Sequence, residues 1–133
     1  MPYRLFMVTI APSSSVSTHE THGEVHFSVG GFWKLDEIQG FLEQLNTASM
    51  PIVQANAPIR VLGEMRDFVA QNRETADAIR DHLMMSQKYG LERVAIVAPP
   101  ALVKIQYRRL SQGIDVEFFD NKTDALAWLR RPR

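Results

Sequence analysis

The chain has no cysteine among its 133 residues, which excludes a disulfide framework and any thiolate-held zinc. That fits a reducing compartment, and a cytoplasmic location is expected. No apolar run approaches the ~18–20 residues a membrane span needs, so no membrane insertion is expected. The short apolar stretch at residues 5–11, interrupted by Thr9, is too brief for an export signal. An excess of one charge is also missing. Fifteen Lys+Arg balance 15 Asp+Glu, so no global field draws the chain to nucleic acid. The cluster Arg130, Arg131 and Arg133 reads as a solvated tail behind a helix. Catalytic signatures are absent as well: no G-x-S-x-G, no glycine-rich phosphate loop before a helix, no H-E-x-x-H. No catalytic residue and no cofactor is expected.

What is present is enough apolar material, 45% of the residues, for one core. Residues 1–133 read as a single domain, with residues 1–15 an N-terminal extension of strand and loop. Residues 3–10 are β-rich and end at the loop cluster Ala11-Pro12-Ser13-Ser14-Ser15. Residues 16–21 and 24–30 flank His22-Gly23, which fits a two-residue hairpin turn. Val25, Phe27 and Val29 alternate with Glu24, His26 and Ser28, the period of a strand with one wet face. Leu35, Ile38, Phe41, Leu42 and Leu45 then make one helical face over residues 34–49, and Pro51 and Pro58 bracket a loop. Residues 59–65 form a strand with Arg60 and Glu64 on its polar side. Asn72 caps a helix running to Tyr89 and stopped by Gly90. A strand at 93–97, a helix at 101–112, a strand at 116–119 and a helix capped by Asn121 complete the chain.

From Val25 onward strands and helices alternate, which implies right-handed crossovers and a mainly parallel open sheet. Glu24, His26, Ser28, Arg60 and Glu64 are too polar for a sheet covered on both sides. The expected fold is therefore α/β, a hairpin followed by β-α units, with helices mostly on one face.

Ligands of open α/β sheets gather at the carboxyl ends of the strands. Those ends carry Trp33 and Lys34, then Arg66, Asp67 and Phe68, then Asp120 and Asn121. These seven residues form the expected ligand or partner rim. Each also has a plain structural use: Trp33 as a core plug, Arg66 and Asp67 as a surface pair, Asn121 as a helix cap. His19, His22 and His26 crowd the hairpin, where a tight turn would set His19 opposite His26 and beside Glu24 on the water-facing side. Exposed histidines without metal are the simpler reading, since no third ligand is evident. His82 stands mid-helix with no evident partner.

Four segments, in this order and spacing, carry a family resemblance: Ser28-Val29-Gly30-Gly31-Phe32-Trp33, Val61 to Phe68, Leu91 to Val97, and Val116 to Asp120 followed by Asp124-Ala125-Leu126-Ala127-Trp128-Leu129. Over roughly residues 16–131 the chain resembles the SpoIIAA-like group of bacterial proteins, related to STAS domains. The resemblance implies a small sheet with helices packed largely to one side and no catalytic machinery. It further implies a regulatory role like that of anti-sigma factor antagonists, which are switched by phosphorylation of a Ser or Thr after the central strand. The sequence departs there: Arg66-Asp67-Phe68-Val69-Ala70-Gln71 offers no hydroxyl, and Thr75 comes about one turn too late. The expected function is a non-enzymatic interaction or regulatory module with a protein partner. Met84, Met85 and Tyr89 are docking candidates if they face outward, and a homodimer through the open sheet face or first strand is compatible with this. The alternative is a small-ligand domain for an apolar molecule or lipid, which requires a cavity near Trp33, Phe32 and Phe68.

Overall fold

The computed structural model describes residues 10–132. The expected strand at 3–10 therefore lies outside the described residues, apart from Ile10, which is in a turn. Among the described residues are five strands: β1 (Ser13–His19), β2 (Glu24–Gly31), β3 (Ile59–Phe68), β4 (Leu91–Val97) and β5 (Val116–Phe119). Four α-helices of the same described residues join or follow them: α1 (Leu35–Gln54), α2 (Arg73–Lys88), α3 (Ala101–Leu110) and α4 (Lys122–Leu129). The strand order is β1-β2-β3-β4-β5, with β1 antiparallel to β2 and every other pair parallel.

This order decides where the helices go. Parallel neighbours in chain order need crossovers of one hand, so α1, α2 and α3 must lie on the same face. They do: Ile38 and Phe41 of α1, Leu83 of α2, and Val103 and Tyr107 of α3 share one core with Val25, Phe27, Ile59, Met65, Val94 and Ile96 of the sheet. Only α4, which needs no further strand, is free to cross to the second face. There Ala125 and Leu129 pack on Leu62, Ala95 and Val97. Asn72 and Asn121 cap α2 and α4 by accepting hydrogen bonds from the N–H of Thr75 (3.0 Å) and of Asp124 (2.9 Å). Gly63 has a packing reason. The Phe27 ring lies against its Cα in the register β2–β3, and any Cβ there would run into the ring.

Four local expectations are corrected. Ser13–Ser15 belong to β1 rather than to a loop, because their backbone finds a partner in Ser28–Gly30. The hairpin connection is not a two-residue turn. A one-turn 3-10 helix, Glu20–His22, precedes Gly23 in the left-handed region (φ 64°), so His19 pairs with Glu24 and Ser17 with His26. The helix expected to end near Ser49 continues through Pro51 to Gln54. Pro51 forfeits only its own N–H, while its carbonyl still accepts from the N–H of Ala55 at 3.2 Å. Finally, Glu24 is not water-facing but fully buried.

Candidate functional site

An apolar cavity of about 540 Å³ lies between the sheet and the pair α1/α2. Natural interiors leave few voids larger than a water molecule, and ligand sites run to ~300–1,000 Å³. A cavity of this size has the scale of a site, not of a packing defect. Its floor is a row across three strands in register, Val25, Val61 and Val94. Phe27, Phe41, Phe68 and Tyr107 line its interior. The walls follow from the helical period: Leu42, Leu45, Ser49 and Val53 recur every three or four residues on α1, and Ile79, His82, Leu83 and Ser86 on α2. Leu42, Leu45, Val53 and Ile79 stay half-buried.

The exposed members of the lining, Asn46, Met50, Met85 and Tyr89, mark the opening. They sit in the C-terminal halves of α1 and α2, and Ile59 and Leu91, which begin β3 and β4, lie at the same end. The cavity thus opens toward the amino ends of the strands, opposite to the rim expected from the sequence.

At this opening His82 Nε2 lies 2.8 Å from Asn46 Oδ1. An amide oxygen only accepts, so Nε2 carries the proton, and the bond ties α2 to α1 across the mouth. The Asn46 amide NH₂ keeps its donors. Burial holds the His82 pKa below 6.5, so the imidazole is neutral near pH 7. The same cause pushes the Tyr107 phenol far above its ordinary range. Ser49 and Ser86 hydroxyls turn back to the helix, donating to the carbonyls of Leu45 (2.8 Å) and His82 (2.7 Å).

The seven expected rim residues divide. Trp33 is buried, and its indole N–H donates to the Gly30 carbonyl at 2.9 Å. Phe68 is buried and is the one of the seven that lines the cavity. Lys34, Arg66, Asp67, Asp120 and Asn121 are exposed. Lys34 begins α1, where its N–H donates to Glu37 Oε1 at 2.9 Å. What the sequence did not reveal is the role of Gln71. Its amide accepts from the Trp33 N–H (2.8 Å) and donates to the Gly31 carbonyl (3.0 Å), while the Gln106 side chain holds its backbone. Thr75 is fully buried and donates to the Trp33 carbonyl at 2.9 Å, so its hydroxyl is sealed inside this knot. Of the helix-borne docking candidates, Met85 and Tyr89 face outward and Met84 packs partly on the core.

On the second face, Glu24 receives two hydrogen bonds from the Arg130 guanidinium (2.9 and 3.1 Å) and one from His26 Nε2 (2.9 Å). Arg130 is therefore not simply a solvated tail residue. The His26 ring stacks on His19 with centroids 3.8 Å apart, and His19 Nε2 lies 3.0 Å from Ser17 Oγ. Among the described residues no group of three or more His, Asp or Glu side chains is placed to hold a metal ion. Nor is any described helix long and apolar enough to cross a membrane.

Among solved structures the chain is similar to an uncharacterised protein of the DUF3478 family with a SpoIIAA-like fold, from Shewanella loihica PV-4. The two share 21% identity at a TM-score of 0.63, over 90% of this chain and 95% of that one. No curated protein matches. The SpoIIAA-like family model matches residues 25–130, from the first core strand to the arginine that closes α4 over it, and the chain belongs to the SpoIIAA-like family.

Proposed function

We propose that the chain is a non-enzymatic binding module that holds one elongated apolar molecule in the cavity between the sheet and α1/α2. The observation that carries this reading is the cavity: about 540 Å³, apolar over its floor and walls, and open at one end. At about 30 Å³ per small group, the share of a water in the liquid, it accepts on the order of fifteen chain atoms. The exposed Met50, Met85 and Tyr89 beside the opening also support a regulatory reading. A protein partner docking on that adaptable rim would sense whether the cavity is filled.

The test is a titration with a naphthylphenylamine dye, which fluoresces when it leaves water for an apolar site. Saturable one-to-one binding is expected. Leu45→Trp, which places an indole in the cavity wall, should abolish it while the circular dichroism spectrum stays native. Non-saturable fluorescence, or binding indifferent to Leu45→Trp, would move the function elsewhere on the molecule.

A further inference from the structure

We infer that the cavity selects ligands with an uncharged, oxygen-bearing head group, which the Asn46 amide binds at the mouth, and rejects the corresponding anions. The inference rests on the cavity reading and adds the ligand class.

Three observations carry it. First, the polar members of the described lining are all neutral: Asn46, Ser49, His82, Ser86, Tyr89 and Tyr107. A carboxylate drawn to the mouth would lose hydration and meet no cation among the lining residues, a cost that an alcohol, aldehyde or ester escapes. Second, the hydrogen bonds at the mouth are already assigned. His82 Nε2 donates to Asn46 Oδ1, and the two serine hydroxyls donate to helix carbonyls, which leaves the Asn46 NH₂, with the exposed Tyr89 hydroxyl at the rim, as the donors available to a ligand oxygen. Third, the charges nearest the mouth on α1 are acidic: Glu43 lies about one turn before Asn46, α1 carries no basic residue, and Asp81 adjoins His82 on α2. Of the basic residues of α2, Arg73 pairs with Asp77 at 4.0 Å and Arg80 donates to the carbonyls of Leu110 (2.6 Å) and Gln112 (2.8 Å), while Lys88 closes the helix beside Tyr89, outside the cavity lining.

The experiment displaces the bound naphthylphenylamine dye with decanol, methyl decanoate and decanoate at about pH 8, where the acid is fully ionised. Decanol and methyl decanoate should displace it at concentrations about tenfold or more below that of decanoate. Asn46→Ala should weaken both neutral compounds relative to decanoate, with the dye affinity measured for the variant itself. His82→Lys, which sets a cation at the mouth, should shift the preference toward decanoate. If decanoate competes as well as decanol, or if neither substitution changes the ratio, the head-group inference falls and the cavity reading stands. If the dye binds but none of the three compounds displaces it, the inference falls as well. If the dye itself does not bind, the cavity reading fails first and takes the inference with it.

Discussion

Glu24 shows how one side chain can link distant parts of this chain. It is a fully buried carboxylate on β2, answered by Arg130 just beyond α4 and by His26 two residues along its own strand. Burial raises its pKa, but the hydrogen bonds from Arg130 and His26 and their charges outweigh it, so the net shift is downward. His26 is also shifted down, by burial first and by the His19 charge, against the pull of Glu24. Both shifts have the same sign for stability. A depressed folded pKa means the unfolded chain binds more protons, so stability falls as pH falls. The His26 contribution is intact above its ordinary value of 6.5 and is lost below it, and the Glu24 contribution is intact above 4.5 and is lost as pH drops through its lower folded value. Glu24→Gln should cost roughly 1–3 kcal/mol at neutral pH, toward the lower end because Arg130 is half-exposed and can rehydrate. It should also flatten the acid limb. Urea unfolding between about pH 2 and 8 checks both. An unchanged acid limb would mean that other carboxylates control it.

At the scale of elements, α1 and α4 mark what the sequence conveys and what it conceals. The helical period of Leu35, Ile38, Phe41, Leu42 and Leu45 made α1 legible, and so did the caps Asn72 and Asn121, because these signals are local. Pro51 hid the last turn of α1, since a proline is a local breaker that tertiary packing can overrule: Ile52 beyond it is buried in the core. The cavity was invisible for a related reason. Half-buried Leu42, Leu45 and Ile79 have the same pattern whether their helices close on the sheet or stand off it. Arg60 read as a water-facing strand residue, yet it reaches Leu129 and Arg131 carbonyls at 2.6 and 3.0 Å, partners some seventy positions away. Only the fold brings that pair together, and with Arg93, 2.9 Å from the Arg131 carbonyl, it ties down the end of α4. Pro51 itself yields a prediction. Pro51→Ala restores the N–H that the Thr47 carbonyl lacks, and the gain of up to ~3 kcal/mol is partly offset by a freer unfolded chain. A net stabilisation of about 1–2 kcal/mol in thermal unfolding is expected. A loss instead would show that the proline sets how α1 rides over the sheet.

For the whole molecule, the cavity places stability and binding in opposition. Walls that do not close on the floor give up packing contacts that a well-filled core would keep. Val61 is the test position, because it is half-buried on β3, central in the floor row and flanked in register by Val25 and Val94. A phenylalanine there would project into the cavity that its neighbours line. Val61→Phe should therefore raise the stability of the free protein by roughly 0.5–2 kcal/mol, as cavity-filling substitutions do. The same variant should lose the stabilisation that ligand gives the parent chain, about 2.7 kcal/mol at a ligand concentration a hundred times Kd. Thermal unfolding of both proteins, with and without the naphthylphenylamine dye, reads the two effects separately. A variant more stable alone and indifferent to the dye would show that the chain keeps the cavity open at the expense of its own packing. A destabilised variant would mean that the helices already close on Val61 in solution, and the space for a ligand would then have to be made by the ligand itself.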